Sequence, residues 1–306
     1  MTDFKGRTAV LTGAASGFGL ACARIAAREG MHVVMVDVQA DALAAAAEEI
    51  AALATPQGGR VLARQVDVAN AEAMQALATE VQQQFGAPSW LFNNAGVGSG
   101  GLVWENTLKD WEWVLGVNVW GVVHGVRLFT PMMLAAAQAD PAFEGHIVNT
   151  ASMAGLVNPP NMGVYNVSKH AVVSLSETLH QDLALVSDQV FAHVLCPFFV
   201  PTGINTSHRN RPADLTDAYA GLTPSQLIGK AMGEKAVGSG KVSAADVAAK
   251  VFEALHERRF YIYSHPRALA SVQLRLEDVV QGRSPSDPFK DRPEVGAQLR
   301  QALRGA

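Results

Sequence analysis

Tyr165 and Lys169 are the two residues whose types and spacing most directly suggest chemistry. They lie four positions apart in a helical pattern that begins at Gly163, so their side chains share one helix face, one turn apart. A neighbouring ammonium favours the phenolate form and therefore lowers the pKa of a phenol. The hydroxyl of Ser152, shortly before them in the chain, could hold a substrate oxygen. These side chains predict a proton-transfer site that acts on an alcohol or a carbonyl group.

The same pair also has a purely structural interpretation. A single Tyr-x-x-x-Lys match is weak evidence, because a half-buried tyrosine beside a solvated lysine is an ordinary feature of a helix. The elements that surround the pair must therefore decide whether it belongs to a site.

Apolar runs and helical patterns alternate along most of the chain. The runs predict strands at 7–12, 32–37, 60–67, 90–94, 145–150, 190–196 and 260–263. Helical patterns lie at 20–30, 41–53, 70–85, 108–137, 163–186 and 243–256, the last with Ser243 as its N-cap. Continuously apolar strands are typical of a parallel sheet that helices cover on both faces. The pattern predicts an α/β fold with a doubly wound, seven-stranded parallel sheet, Rossmann-like in its connections.

A glycine-rich turn joins the first strand to its helix, and it contains Gly13, Gly17 and Gly19. Glycine lets the backbone approach a ligand closely, and the N-terminus of the following helix presents free N–H groups to an anion. Asp37 ends the second strand, where a carboxylate either meets an adenosine ribose or simply caps a turn. A carboxylate repels a 2′-phosphate, and no Arg or Lys occurs at 38–40 or 14–18. We therefore expect NAD as the cofactor rather than NADP.

Composition excludes several classes of function. The chain has 306 residues, of which 49% are hydrophobic and 17% charged, as in an ordinary globular protein. A net charge of −4 argues against nonspecific binding of nucleic acid. The N-terminus lacks the order of a signal peptide and no long apolar run occurs, so we expect no membrane span. Only Cys22 and Cys196 are cysteines and the histidines lack metal-ligand spacing, so we expect a cytoplasmic protein without a metal site.

Taken in order, these motifs resemble those of the short-chain dehydrogenase/reductase family in its single-domain form. The resemblance runs from about residue 7 to residue 263 and is specific because every motif occurs in the family's order. Residues 12–19 are similar to the cofactor motif, Asp67 and Val68 to the adenine contact, and 93–96 to the sheet-stabilising motif. The resemblance implies a cofactor site formed by Gly13, Ser16, Gly17, Phe18, Gly19, Asp37, Asp67, Val68, Asn94, Ala95, Gly96, Tyr165, Lys169, Val200 and Thr202.

The resemblance also implies four catalytic residues, which are Asn118, Ser152, Tyr165 and Lys169. Tyr165 would exchange a proton with the substrate oxygen while hydride moves to or from the nicotinamide. Lys169, together with the positively charged oxidised nicotinamide, would lower the pKa of Tyr165 towards working pH, and Lys169 would also bind the nicotinamide ribose. Ser152 would orient the substrate oxygen. Asn118 would hold a water that links Lys169 to solvent. The implied protein is an NAD-dependent alcohol dehydrogenase or ketone reductase, assembled as a homodimer or homotetramer.

The chain departs from the family pattern after Pro197, where Phe198 and Phe199 stand in place of the usual glycine. We expect these side chains to narrow the nicotinamide end of the site or to form a wall of the substrate pocket. The departure also makes the alignment of Val200 and Thr202 less direct.

We predict a catalytic domain at 1–265, in which an insertion at 198–240 covers the substrate, and a C-terminal extension at 266–306. The extension has one short helical pattern near 268–280 and would be either a mobile tail or an arm packed on a partner subunit. The expected pocket walls are 97–104, 153–162 and 198–232, which are mostly apolar or aromatic and include Tyr219. They predict that the substrate is a hydrophobic secondary alcohol or its ketone, and aromatic compounds of this class are included. Cationic residues in the insertion would instead reach an acidic group; they are His208, Arg209 and Arg211.

Three other functions remain open on the sequence. A catalytically silent NAD-binding regulator or scaffold predicts the loss of a catalytic residue, yet Ser152, Tyr165 and Lys169 are all present. An epimerase or dehydratase acting on nucleotide sugars needs a larger substrate domain than the insertion provides. An alcohol dehydrogenase that uses NADP would be separated by titration with both cofactors.

Overall fold

The centre of the protein is a parallel β-sheet, seen in a computed structural model that describes residues 4–216 and 221–305. The sheet has seven strands in the order β3-β2-β1-β4-β5-β6-β7, and every pairing is parallel. The strands are β1 Thr8–Thr12, β2 His32–Asp37, β3 Val61–Gln65, β4 Trp90–Asn93, β5 Gly145–Thr150, β6 Val190–Cys196 and β7 Tyr261–Tyr263. The predicted doubly wound α/β sheet is confirmed.

Helices cover both faces of this sheet. They are α1 Gly17–Arg28, α2 Ala40–Ala54, α3 Ala71–Phe85, α4 Leu108–Leu115, α5 Gly121–Ala139, α6 Gly163–Val186, α7 Pro224–Gly238, α8 Ala244–Glu257, α9 Leu269–Val280 and α10 Pro293–Arg304. Alternate strand residues face opposite sides of the sheet. Leu11 and Val33 therefore pack with α1, α2 and α8, whereas Val10 and Val34 pack with α3, α5 and α6.

Most predicted boundaries agree with the structure. The helix α6 occupies the predicted range, and the Ser243 hydroxyl accepts the N–H of Asp246 as the N-cap of α8. The helix α1 begins at Gly17, before the expected start, because the glycine turn itself forms its first turn. The strand β3 ends at Gln65, and the chain then turns at Asp67, whose Oδ1 accepts the N–H of Ala69 at 2.9 Å.

The long helix predicted at 108–137 is interrupted. A π-helical turn at Gly116–Trp120 separates α4 from α5. Such turns widen the helix locally and are frequent at functional sites. This one contains Asn118, so the interruption occurs at a predicted catalytic residue.

The insertion and the C-terminal extension lie next to each other. The insertion forms a 3₁₀ segment, Gly203–Asn210, and then α7, while Tyr219 lies outside the described residues. The extension contains the expected α9 and also α10, which the sequence did not predict. The helix α10 contacts α7, and its Leu299 is buried. The extension therefore packs on its own chain.

Among the described residues, the helical stretch Leu108–Ala139 is long and apolar enough to cross a membrane by length and composition. The core helix of a soluble protein meets the same criterion. The helix α5 contributes buried Leu128, Phe129 and Met133 to the core beside the sheet. The length and hydropathy of this stretch are therefore weak evidence for a membrane span.

Candidate active site

Tyr165, Ser152 and Lys169 meet at the carboxyl end of β5. Tyr165 lies in the first turn of α6, and its hydroxyl is close enough to the Ser152 side chain for that side chain to affect the pKa of Tyr165. Ser152 caps a short 3₁₀ turn, and its hydroxyl accepts the N–H of Ala154 at 3.1 Å. Lys169 is 2% exposed, donates to the Thr150 carbonyl at 2.9 Å and places its Nζ 5.6 Å from the centre of the Tyr165 ring. The structure thus brings together the three side chains with which the prediction of chemistry began.

The pKa of Tyr165 is raised, not lowered as the sequence predicted. Burial raises the pKa of Tyr165 to about 12, although the Ser152 side chain acts in the opposite direction. Burial also lowers the pKa of Lys169 to about 8. Lys169 is buried and Tyr165 is half-buried, and the loss of solvent penalises the charged form of each, which outweighs the charge effect that the spacing predicted. The protein groups alone therefore favour a neutral phenol beside an amine of reduced basicity.

Asn118 is fully buried and faces the loop that follows β4. Its Oδ1 accepts the N–H of Val97 at 2.8 Å, and its Nδ2 donates to the Val97 carbonyl at 3.0 Å and to the Ser168 hydroxyl at 3.1 Å. A Cβ on Gly96 would lie 3.4 Å from Asn118 Oδ1 and 3.6 Å from Lys169 Nζ. Gly96 therefore keeps open the space between Asn118 and Lys169, where the sequence predicted a bridging water.

A cavity of about 1330 Å³ runs along these residues. It is lined by the glycine turn, by Ser152, Tyr165 and Lys169, and by parts of the insertion and the C-terminal extension. Within residues 4–216 and 221–305, no three His, Cys, Asp or Glu side chains cluster as metal ligands would. The chemistry of the cavity walls therefore rests on hydroxyl, amine, amide and backbone groups.

The glycine turn presents an uncapped helix N-terminus to the cavity. Gly13 and Gly17 have positive φ values of 64° and 54°, which glycine adopts without strain. Ser16 makes no side-chain cap hydrogen bond, and Ser16, Gly17 and Phe18 line the cavity. Gly19 does not line it: a Cβ there would lie 2.1 Å from the Gly13 carbonyl oxygen, so Gly19 serves the packing of α1 on the turn. Free N–H groups at a positive helix end fit an anion such as the diphosphate of a dinucleotide.

Asp37 lies at the cavity wall and is 7% exposed. Its Oδ2 accepts the N–H of Ala15 at 3.0 Å, and its Oδ1 accepts the N–H of Gln39 at 3.0 Å. The carboxylate therefore caps a turn and also fixes the glycine turn. Each oxygen keeps a lone pair for a ribose hydroxyl, so the structural and the cofactor-binding interpretations of Asp37 are compatible.

The other predicted cofactor residues also line the cavity, namely Asp67, Val68, Asn94, Ala95, Gly96, Val200 and Thr202. Asn94 links three strand ends. Its Nδ2 donates to the Thr12 carbonyl at 3.0 Å, its backbone N–H donates to the Thr12 hydroxyl at 2.8 Å, and the Thr150 hydroxyl donates to its Oδ1 at 3.4 Å. These contacts join β1, β4 and β5 beside the site, which is the sheet-stabilising role that the motif implied.

The two phenylalanines after Pro197 form part of the cavity wall. The Phe198 and Phe199 rings are 4.5 Å apart between centroids, and the Phe198 ring meets His265 edge-on. Thr202 follows them and lies against the glycine turn, with side-chain atoms 3.5 Å from the position of a Cβ on Gly17. The two aromatic residues therefore leave Thr202 beside the glycine turn.

The predicted substrate walls are correct only in part. Residues 97–100 line the cavity, whereas 101–104 do not, and Trp104 is 76% exposed. The sequence also missed a wall that α9 and the loop after it contribute, which includes Ser271, Leu274, Arg275 and Phe289. No pattern in the extension indicated it, because helical periodicity does not specify which neighbour a helix packs against.

The cations of the insertion have separate partners. Arg211 forms an ion pair with Asp110, and its guanidinium lies 5.3 Å from the centre of the Trp113 ring. Its charge is therefore neutralised by the protein rather than available to an acidic substrate. Further along the chain, Lys230 and Arg275 line the cavity, so its walls are less uniformly uncharged than the sequence predicted.

Arg209 reaches across the cavity to a different wall. Its Nε donates to the Gln39 side-chain oxygen at 3.0 Å. Gln39 lies two residues after Asp37, in the segment that has no Arg or Lys of its own. Arg209 therefore brings a positive charge next to residues 38–40, which contain no Arg or Lys.

Comparisons with known proteins agree with this geometry. The profile of the short chain dehydrogenase family matches residues 7–213. The chain is 33% identical over 295 residues to the CLA biosynthesis dehydrogenase/reductase of Lactiplantibacillus plantarum, covering 95% of this chain and 99% of that protein. It is 30% identical over 303 residues to the C alpha-dehydrogenase of a Sphingobium species, with coverage of 98% and 94%. A crystal structure of a short chain dehydrogenase/reductase from Burkholderia phymatum in complex with NAD has a TM-score of 0.88 and 50% identity, covering 94% of this chain and 99% of that one. The chain therefore belongs to the short-chain dehydrogenase/reductase family of oxidoreductases.

Proposed function

We propose that the protein is an NAD-dependent oxidoreductase that interconverts a hydrophobic secondary alcohol and its ketone, with Tyr165 as general acid and base. The observation that carries this proposal is that Tyr165 and Ser152 share one cavity with the N-terminus of α1 and Asp37. A proton donor, an oxygen-binding hydroxyl and a wall suited to a dinucleotide thus face the same space.

The residues of the cofactor wall favour NAD. The N-terminus of α1 suits a diphosphate, and the Asp37 carboxylate suits the ribose hydroxyls and repels a 2′-phosphate. The Burkholderia phymatum relative, at 50% identity, is in complex with NAD. Because Arg209 brings a positive charge to Gln39, the preference over NADP needs a direct measurement.

Tyr165 and Ser152 act on the substrate oxygen. A bound nicotinamide supplies the hydride chemistry. Tyr165 gives its proton to the ketone oxygen during reduction and removes the hydroxyl proton during oxidation. The Ser152 hydroxyl, fixed by the N–H of Ala154, binds the same oxygen and stabilises the negative charge that develops on it.

Lys169 and Asn118 complete the proton path. Lys169 gives one N–H to the Thr150 carbonyl and keeps two others for a ribose hydroxyl and a water. The second lone pair of Asn118 Oδ1 is available to hold that water. Since burial holds the pKa of Tyr165 at about 12, this pKa must fall for oxidation, and the positive charge of an oxidised nicotinamide nearby has the required sign.

The proposed substrate is hydrophobic because the segments that follow Ser152 and Pro197 line the cavity with apolar side chains, namely Met153, Val157, Met162, Phe198 and Phe199. None of these side chains can neutralise a charge close to the reacting oxygen. Lys230 and Arg275 lie on walls from the insertion and the extension, so a long substrate could carry a polar end towards them.

The test is a panel of aromatic and aliphatic secondary alcohols, assayed with NAD and with NADP through the absorbance of the reduced cofactor. We expect turnover of hydrophobic members of the panel, with NAD clearly preferred. Turnover with NADP alone would overturn the cofactor assignment. Tight binding of NAD without turnover of any alcohol or ketone would instead support a catalytically silent regulator.

We also propose that the protein is a cytoplasmic homodimer or homotetramer. Apolar side chains are exposed on the π-helical turn and on α6, with Trp120 56% exposed, Val167 47% and Leu185 83%. Surfaces of this kind often bind a partner. Light scattering of the purified protein tests the assembly, and a monomer at micromolar concentration would contradict it.

A further inference from the structure

Arg209 connects two walls of the cavity that are far apart in the sequence. It lies near the end of the 3₁₀ segment Gly203–Asn210, and its Nε donates to Gln39 at the N-cap of α2, 170 positions away. This contact places the guanidinium on the wall that also carries Asp37, whose Oδ1 accepts the N–H of Gln39. The exposed side chain of Arg209 thus connects residues 203–210, called here the covering segment, with the cavity wall that carries Asp37 and Gln39.

Among the described residues, the groups that hold the guanidinium are all neutral. Nη1 donates to the Gly203 carbonyl at 3.2 Å, to the Thr206 carbonyl at 2.8 Å and to the Thr206 hydroxyl. No carboxylate in the described parts of the chain forms an ion pair with it, in contrast to Arg211, which has Asp110. Nη2 has no acceptor among the same residues and lies 3.2 Å from the position of a Cβ on Gly203. The positive charge and the two N–H groups of Nη2 therefore remain available to an anion.

The covering segment begins beside the glycine turn. Thr202 precedes the segment and lies 3.5 Å from the position of a Cβ on Gly17. The segment therefore spans from the N-terminus of α1 to the N-terminus of α2, with Arg209 at its far end. An anion bound by the free N–H groups of α1 would lie between these points, on the same cavity as Arg209.

We propose that Arg209 is a cofactor-binding residue whose Nη2 group donates to the diphosphate of the dinucleotide and holds residues 203–210 closed over it. This inference rests on the proposed function. A guanidinium suits a phosphate because it carries a permanent positive charge, and Nη2 still has two N–H donors when Nε and Nη1 are occupied. The Asp37 carboxylate near the same wall disfavours the alternative ligand, a ribose 2′-phosphate.

The experiment measures dissociation constants for NAD, ADP-ribose and adenosine by calorimetry, with wild type, Arg209→Gln and Arg28→Gln. The dissociation constant for NADP is measured with wild type and Arg209→Gln only. We expect Arg209→Gln to raise the dissociation constants of NAD and ADP-ribose about tenfold and to leave that of adenosine unchanged, because only the first two carry the diphosphate. Arg28→Gln removes the same charge at the exposed far end of α1 and should change none of the three. Thermal unfolding confirms that each variant is folded.

Three results would overturn the inference. Unchanged binding of ADP-ribose by Arg209→Gln would show that the guanidinium does not contact the diphosphate. An equal loss of affinity for adenosine and for ADP-ribose would show that Arg209 only holds the cavity walls together and does not bind the diphosphate. A greater loss for NADP than for NAD would assign the guanidinium to a 2′-phosphate. If wild type itself fails to bind NAD, the proposed function fails; if wild type binds NAD and Arg209→Gln binds it equally well, only the role of Arg209 fails.

Discussion

Two groups of buried or half-buried polar side chains lie at opposite ends of strands β5 and β6. Towards the carboxyl ends are Ser152, Tyr165 and Lys169. Towards the amino end of β5, His146 is fully buried, with Nδ1 3.0 Å from His193 Nε2 and Nε2 3.1 Å from a Glu144 oxygen. Both groups combine burial, hydrogen bonds and shifted pKa values.

The two groups differ in what faces them. The His146 ring packs against aromatic rings, including Phe4 at 5.9 Å and Phe191 at 5.6 Å between centroids, and His193 Nδ1 donates to the Arg259 carbonyl at 2.7 Å. Neither histidine lines the cavity, whereas Ser152, Tyr165 and Lys169 all do. Shifted pKa values therefore indicate a functional site only where the groups also reach a space that a ligand can enter.

The largest expected effect separates the two groups by activity. Replacing Tyr165→Phe removes the proton donor and should lower kcat by at least about 10²-fold, within the 10²–10⁴-fold range typical of positioned acid–base catalysis. The dissociation constant for NAD should change little, because the ring remains. Initial rates at saturating NAD measure the loss. Full turnover by this variant would show that the group around Tyr165 is no more catalytic than the buried histidines.

The amino-end histidines should instead control stability in acid. Burial lowers the pKa of His193 to about 3 from its ordinary 6.5, so the unfolded chain takes up the proton first as pH falls. Stability should therefore be lost between pH 6.5 and pH 3, by on the order of 5 kcal/mol from this group. His193→Gln can still donate to Arg259 but does not titrate, so the difference between wild type and variant should change across this window.

Urea unfolding at several pH values measures that difference. The control is the kcat of His193→Gln at neutral pH, which should equal that of wild type because the side chain is remote from the cavity. Parallel stability curves for the two proteins between pH 6.5 and pH 3 would contradict the prediction.

Lys169 should show a conflict between function and stability. Burial lowers its pKa from 10.5 to about 8, so between these values the unfolded chain holds a proton that the folded chain lacks, and stability rises with pH. At pH 7 the cost of burying the ammonium is fully present. Lys169→Met should therefore stabilise the protein by about 1–3 kcal/mol at pH 7, after the loss of the hydrogen bond to Thr150, while abolishing most turnover. Chemical unfolding at pH 7 and pH 10 tests this, and a variant less stable than wild type at pH 7 would refute it.

The smallest expected effect is the change in stability on removing the exposed ion pair between Arg258 and Glu144, whose carboxylate contacts His146. Arg258 donates to Glu144 through two nitrogens, but its side chain is 55% exposed. Exposed ion pairs contribute little, so Arg258→Gln should lower stability by about 0–1 kcal/mol and leave kcat unchanged. Thermal unfolding in low and high salt checks this, and a loss well above that range would mean that the buried histidines depend on Arg258.

Much of the site could be predicted from the sequence because its parts depend on near neighbours in the chain. A spacing of four places Tyr165 and Lys169 on one face of any helix, and glycines after an apolar run form a turn that leads into α1. The apolar runs likewise specify buried parallel strands. The order of the motifs then predicted that the Tyr165–Lys169 pair and the glycine turn lie at the same end of the sheet, since the carboxyl ends of parallel strands lie together.

Only the tertiary structure decided what surrounds these groups. The contact between Arg209 and Gln39, the wall from α9 and the separate pairing of Arg211 with Asp110 all join distant segments. The raised pKa of Tyr165 has the same origin, because it reflects the water that the packed walls exclude. Periodicity and spacing follow from local backbone geometry and can be read along the chain, whereas partners across a cavity and the loss of solvent exist only after separate segments have packed together.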